Sequence, residues 1–469
     1  MKLKQLLSTA FLLISFLACD QKPNATVVQV IQKKDNPKFS LDELERRTFR
    51  WFWDLTDKNY QVPDRHPTRQ FSSIAATGFG LTTYCIGVER KYVTREQAAE
   101  RVLKTLQFLW NAPQGGEPSG KTGFHGFFYH FLDHDKGVRY RDVELSTIDT
   151  GLLMAGVLSV MSYFDGNNTT EKAIRETAEN LFRRVEWDWF LNEKKNLSMG
   201  YHPEKGFLSA EWIGYNEAMV LLIMAMGSPT HPIPADSWER WCKPYKWATF
   251  YGQEHVNFEP LFGHQYSQMY IDFKGIQDNY MRQKGIDYFE NARRATLANR
   301  AYCMDNTAKF KNYAANEWGL TACDGPKDTT AMVNGFKVRF MGYGARGAAS
   351  TQIVDDGTIA PTAVGGSLPF TPEVCLPALE NMWNKYAHTP LVGEYGFKDA
   401  YNPSYTFGKG NENGWIDVDY LGIDQGPIII QIENYRSQFV WNLMKKNPYI
   451  TAGLKKAGFK GGWLDAVKN

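Results

Sequence analysis

The sequence predicts an all-α protein folded as an (α/α)6 toroid, a double ring of inner and outer helices. Two observations carry that expectation. Helices with one polar face alternate along the chain with helices that are apolar nearly all round, and a helix of the second kind is buried on every side. Long loops rich in Gly, Pro and aromatic residues stand ahead of the apolar segments, so in a double ring they gather at one end and are expected to carry the cleft. No sequence repeat is visible, and the expectation rests on the alternation.

Of the 469 residues, 1–18 read as a secretory signal: Lys2 and Lys4 precede the apolar run "LLSTAFLLISFLA", which is too short to span a bilayer. "SFLAC" looks like a lipobox in which Cys19 becomes the acylated first residue, although Phe16 departs from the usual pattern. The polar stretch after it, to residue 38, reads as a tether, leaving residues 39–469 as a single catalytic domain. The chain is thus expected to be exported and lipid-anchored in the cell envelope, in the periplasm or on the outer-membrane surface.

The first helix, "SLDELERRTFRWFWDL", opens on a Ser40/Glu43 capping box, and "TREQAAERVLKTLQFLW" on Thr94/Gln97 with Ala99, Val102, Leu103, Leu106 and Leu109 in one apolar stripe. "TTEKAIRETAENLFRRVEW" repeats the pattern through Ile174, Ala178, Leu181, Phe182 and Val185, and "DYFENARRATLANRAYC" and "TPEVCLPALENMWNKYA" continue it. These are the outer helices. "SSIAATGFGLTTYCIGV", "STIDTGLLMAGVLSVMSYF", "NEAMVLLIMAMG" and "GPIIIQIENYRSQFVW" have little or no polar face and are the inner ones.

Composition narrows the function. The formal net charge of +2 has no basic block behind it, which disfavours nucleic acid as a partner. Cys85, Cys242, Cys303, Cys323 and Cys375 are scattered without CxxC or zinc spacing, so neither a disulfide framework nor a metal site is indicated, and no cofactor is expected. Aromatic residues at 14% suit an exported protein that stacks rings on sugars, though most rings in such a chain pack a core.

Acids stand ahead of the buried helices. Asp142 and Glu144 precede "STIDTGLLMAG", where Ser146 and Asp149 read as a cap. Glu211 lies in the loop "SAEWIGYNEAM" beside Trp212, an aromatic neighbour able to desolvate it, and Glu217 stands near the first turn of the next helix. "FGHQYSQMYIDF" offers His264, Gln265, Tyr266 and Asp272, and "GYGARG" places Arg346 among glycines. "NGWIDVDYLGIDQGP" supplies Trp415, Asp417, Asp419 and Asp424, a second place for a catalytic base. Acids entering one cavity from successive inner helices are what glycoside hydrolysis needs, one as general acid and one as base or nucleophile.

The motifs "VELSTIDTGLLMAGVL", "EWIGYNEAMVLLIMAMGSPTHP", "LFGHQYSQMYIDFKGIQD", "APTAVGGSLPFTPE" and "DQGPIIIQIENYRSQFVWNL", in that order, resemble the glucoamylase-like domain of bacterial exported proteins. More narrowly, they resemble glycoside hydrolase family 144, the β-1,2-glucanases. The resemblance spans about residues 39–469. It implies the same toroid, no metal, and inverting hydrolysis of β-1,2-glucan, either endo-acting or exo-acting with release of sophorose. Carried over residue by residue, it implies Glu211 as general acid, with Glu217 as the fallback, and Asp142 or Glu144 activating water. Trp212, Tyr215, His264 and Arg346 would line glucose subsites, with Glu217, Asp272, Trp415 and Asp424 as further substrate contacts. The expected partner is a β-glucan polymer or oligosaccharide met by a monomer, with the membrane engaged only through the lipid. Rival readings are a non-catalytic glycan-binding lipoprotein and a hydrolase or lyase acting on another polysaccharide.

Overall fold

A computed structural model describes residues 38–68 and 71–467; the signal, Cys19 and the tether up to residue 37 lie outside the described residues. The inner ring is built from α2 (Ile74–Glu89), α4 (Thr147–Tyr163), α6 (Met219–Gly227), α7 (Phe262–Tyr270), α9 (Pro361–Gly365) and α11 (Gly422–Ser437). Around it stand α1 (Leu41–Asp54), α3 (Arg95–Asn111), α5 (Thr169–Arg184), α8 (Tyr288–Asp305), α10 (Pro372–Tyr386) and α12 (Pro448–Lys456).

Each neighbouring pair of inner helices is joined by a contact that can be named. A Cβ on Gly156 of α4 would sit 2.1 Å from the carbonyl oxygen of Gly78 on α2, so these two helices touch backbone to backbone. Gly151 of α4 packs on Leu221 of α6. The Ser267 hydroxyl of α7 accepts from Val220 N at 3.0 Å and donates to Glu217 O at 2.8 Å, tying α7 to α6. Gln265 of α7 donates to Ala363 O of α9 at 2.9 Å, and Thr362 of α9 donates to Asp424 O of α11 at 2.9 Å. Phe79 of α2 then fills the space beside Gly426 of α11, and the ring is closed. The outer helices pack in the grooves between: α1 on α2 and α11, α3 on α2 and α5, α5 on α4, α8 on α7, and α10 on α9.

Local sequence explains the ends. Ser40, Ser73, Thr94, Ser146, Asn168 and Asp287 each accept a first-turn N–H with a side-chain oxygen. The Thr94/Gln97 capping box is complete, whereas at Ser40 only half forms, because the Glu43 carboxylate is taken by Arg46 and Arg47.

Three features depart from the expected pattern. Helices α7 and α9 lie inside stretches expected to be loop: α9 has a single turn, and α7 buries His264, Gln265, Ser267 and Gln268 rather than a greasy surface. Gln268 donates to Tyr288 O at 2.8 Å, and its Oε1, like that of Gln265, is buried without a donor. The outer place beside α6 is taken by the C-terminal α12, where Lys456 donates to Met226 O at 2.8 Å. The long loops also carry short strands. Five of them, Gly123–Phe124, Phe127–Tyr129, Leu145–Ser146, Gly200–His202 and Gly206–Phe207, form one antiparallel sheet ahead of α4 and α6.

The backbone contact between α2 and α4 leaves no room for a methyl group. Gly156→Ala is expected to lower stability by about 1–3 kcal/mol through forced separation of the two helices. Chemical denaturation checks it; an unchanged midpoint would show that the ring tolerates the wider spacing.

Candidate active site

The inner helices all begin at the same end, and carboxyl groups enter that end from loop after loop. Helix N-termini favour anions, but the number of acids here exceeds what that field neutralises. Asp64 comes from the approach to α2, Glu144 and Asp149 from the start of α4, Glu217 from the residue pair before α6, Asp324 from the approach to α9, and Asp399, Asp417, Asp419 and Asp424 from the approach to α11.

Glu217 is the acid-like member. Its carboxyl lies deep in the protein while keeping partial access to solvent, the situation of a group on the floor of a cleft. Burial, with help from the charge of Asp149, pushes it up to about 7, so it holds its proton near neutrality. Asp149 is both the cap residue expected and a member of the site: its N–H bonds Ser146 Oγ, and its carboxylate lies 3.5 Å from His130 Nε2. His130 Nδ1 meets Glu144 at 2.8 Å. Burial opposes charge on this imidazole, yet Asp149 and Glu144 outweigh it and lift the group to about 9, leaving a protonated histidine in the cavity wall. Burial likewise works against the Glu144 anion, but His130 holds that carboxyl below its ordinary range.

The opposite wall is an aspartate cluster. Burial raises both Asp399 and Asp424, and the charge of Asp424 raises Asp399 further. Their surroundings leave Asp399 Oδ1, Asp424 Oδ2 and Asp417 Oδ2 buried without a donor. Ser267 of α7 donates to Glu217 O at 2.8 Å and the adjoining Tyr266 donates to Ile423 O, next to Asp424, at 3.3 Å, so α7 brings the two acids to one end of the ring. Oxygen atoms of Asp324, Asp399 and Asp417 lie within 4.8 Å of one another, a spacing a cation could use, although Arg65 already stands 2.7 Å from Asp324. A carboxyl that burial raises to about 7, gathered with buried aspartates at the same end of the ring, is the arrangement of general acid–base catalysis.

Several expected site residues are elsewhere or otherwise engaged. Glu211 sits on the rim, where Asn196 at 3.0 Å, Asn192 at 2.6 Å and Lys194 at 3.3 Å hold its carboxyl below the ordinary range, the reverse of what a general acid needs. Asp142 is exposed in a turn. Arg346 is fully buried and spent on Asp356 at 2.7 Å and on carbonyls of its own loop. His264 is buried against Tyr215 with its Nε2 near Phe258 O, and desolvation pulls it down to about 3, so it is a neutral structural ring. Tyr215 is buried with it, and Trp212 is buried with its indole N–H on Thr147 at 2.8 Å. Asp272 follows the C-terminal end of α7, at the other pole, paired with Lys445 at 2.6 Å. Glu217 and Asp424 are in the cavity, and Trp415 is half-buried, pairing with Asn402 and packing beside Ala400. His130, Asp324, Asp399 and Arg65 had no sequence signal, since only the fold brings their loops together.

The Glycoamylase family model, described as "Putative glucoamylase", matches residues 209–448. A crystal structure from Bacteroides uniformis with the same description is 32% identical, with a TM-score of 0.79 over 91% of this chain and 100% of that one. The endo-β-1,2-glucanase from Chitinophaga pinensis, solved with sophorotriose and glucose, is 31% identical, with a TM-score of 0.77 over 91% of this chain and 100% of its own. Among curated proteins, an exo β-1,2-glucooligosaccharide sophorohydrolase (non-reducing end) from Parabacteroides distasonis is 28% identical over 89% of this chain. This chain spans 57% of that protein's length.

The raised Glu217 carboxyl has a consequence for stability that is independent of catalysis. Between pH 4.5 and about 7 the unfolded chain has released this proton while the native chain keeps it, so stability falls as pH rises through that window. Glu217→Gln removes the penalty. Relative to wild type, the variant is expected to gain about 1–3 kcal/mol between roughly pH 4 and roughly pH 8. Denaturation curves at the two pH values read it, and a constant difference would place the carboxyl in open solvent.

Proposed function

The chain belongs to the glucoamylase-like family that holds the β-1,2-glucanases of glycoside hydrolase family 144, and from that membership we propose that it hydrolyses β-1,2-glucan. The observation that carries the reading is that Glu217 and Asp424, two buried carboxyls raised to about 7, are brought to the same end of the ring by α7, whose Ser267 bonds Glu217 O and whose Tyr266 bonds Ile423 O. Glu217 gives its proton to the glycosidic oxygen as the bond to the anomeric carbon breaks. Water attacks that carbon from the other face and loses a proton to the ionised form of Asp424 or Asp399, directly or through a substrate hydroxyl. One displacement inverts the anomeric configuration. The cavity acids left without donors accept hydroxyl protons of the sugar ring, and the protonated His130 supplies a donor on the opposite wall.

The N-terminal sequence supports export, with Cys19 as the lipid attachment point and the domain acting as a monomer in the cell envelope. Substrate of this size is then met outside the cytoplasm.

Product analysis on linear β-1,2-glucan tests the assignment. Sophorose alone from the earliest times means exo attack; a ladder of oligomers means endo attack. Glu217→Gln is expected to lower the rate by about 10²–10⁴. The loss should shrink for an aryl glycoside whose leaving group needs no proton, and Glu211→Gln should cost far less. No product from wild type, with oligosaccharide binding retained, would instead make the protein a glycan-capturing one.

A further inference from the structure

The strand Arg65–His66, on the approach to α2, pairs with Tyr420–Leu421 on the approach to α11, and so carries one side chain into the aspartate wall. Arg65 Nε donates to Asp64 at 3.0 Å and NH1 to Asp324 at 2.7 Å, with Asp419 at 3.8 Å. Asp324 in turn donates its backbone N–H to Asp399 Oδ2 at 2.7 Å. The adjoining Thr68 caps Asp419 with both its N–H and its hydroxyl. One guanidinium therefore stands a single residue away from the Asp399/Asp424 pair and touches carboxylates from three separate loops.

The other charges around the pair do not do this work. Lys398, next to Asp399 in sequence, is turned onto the carbonyl of Val418 and the face of Tyr420. His130 is clamped between Glu144 and Asp149 on the far wall, where Glu217 also stands. Tyr266 faces the pair as a neutral phenol, held well above the ordinary tyrosine range by burial and by these acids. Asp417 adds a further raised carboxyl.

We propose that Arg65 is the positioning residue of the water-activating pair, holding the carboxyl groups of Asp64, Asp324 and Asp419 in fixed places around Asp399 and Asp424. The inference rests on the β-1,2-glucan hydrolase reading above. It carries a definite sign. Without the guanidinium, the neighbouring carboxylates raise the pair unopposed, and the anion that activates water forms only at higher pH. Burial already raises Asp424, and Arg65 is among the groups that hold it down.

The test is kcat/KM on linear β-1,2-glucan across pH for wild type, Arg65→Gln, Arg65→Lys and Asp324→Asn, with folding checked by circular dichroism. Arg65→Gln is expected to move the acidic flank up by about one pH unit, an approximately tenfold loss on that flank, with the alkaline flank in place. Arg65→Lys should restore the flank because it restores the charge. Asp324→Asn should move it down, and this variant decides the matter if Arg65→Gln fails to fold. An equal loss at every pH in Arg65→Gln, or an unmoved flank in Asp324→Asn, would overturn the inference and leave Arg65 as a brace between loops. Absence of turnover in wild type would remove the hydrolase reading itself, and the inference with it.

Discussion

An excess of buried carboxyl groups at one end of a closed ring is the constraint to which the rest of this structure answers. Desolvated acids that are not paired stay neutral, and proximity to other acids pushes them further the same way. The cavity end holds Asp64, Glu144, Asp149, Glu217, Asp324, Asp399, Asp417, Asp419 and Asp424, and among the described residues Arg65 and His130 are the cations that form ion pairs with them. That imbalance makes some of these groups proton carriers, and the ring makes the imbalance possible. Only a rigid scaffold can hold acids from five loops together against their mutual repulsion, and backbone contact between α2 and α4 shows how tightly it is packed.

The ring was legible in the sequence wherever burial is purely apolar. α2, α4, α6 and α11 announce themselves because hydrophobicity on all faces has one physical meaning. α7 does not, because its burial is achieved with His264, Gln265 and Gln268, whose hydrogen bonds are made to other parts of the ring and leave no periodic trace. α9 is too short to have a period. The site was legible only in outline. Acids before inner helices correctly point to one end of the toroid, but local sequence cannot separate Glu211 from Glu217. They differ in what surrounds them: Glu211 is wrapped by amide and ammonium donors on the rim, and Glu217 by the cavity floor. Neighbouring Trp212, which looked able to desolvate Glu211, points away into Thr147. Asp399 sits in "GFKDAYN", where nothing local marks it, and acquires its character from Asp324 and Asp424, distant in sequence.

Arg346 shows why charge type alone is a poor guide. A guanidinium among glycines is the kind of group that could bind sugar hydroxyls. Here the glycines let backbone carbonyls approach it, and with Asp356 they satisfy it fully inside the loop that precedes α9. The residue builds the wall that carries Asp324 without entering the cavity, because a donor with all its hydrogen bonds made has none to offer a ligand.

The opposite pole supplies the control. There too, acids are buried: Glu45 of α1 is fully inaccessible and Glu433 of α11 nearly so, and burial with the charge of Glu433 raises Glu45 to about 8. Yet Arg90 bonds Glu433 at 2.6 Å and lies 3.5 Å from Glu45, and Arg436 bonds Glu45 at 2.6 Å. Arg436 meets Asp42 as well, and the cluster serves as a clasp between the first outer helix and the ends of α2 and α11. Buried carboxyls therefore do not by themselves mark an active site in this fold. What separates the two poles is direct pairing. Glu45 and Glu433 each meet an arginine, whereas among the described residues no cation forms an ion pair with Asp399, Asp417 or Asp424, and Arg65 reaches them only through Asp64, Asp324 and Asp419; that is where the ring has a place to do chemistry.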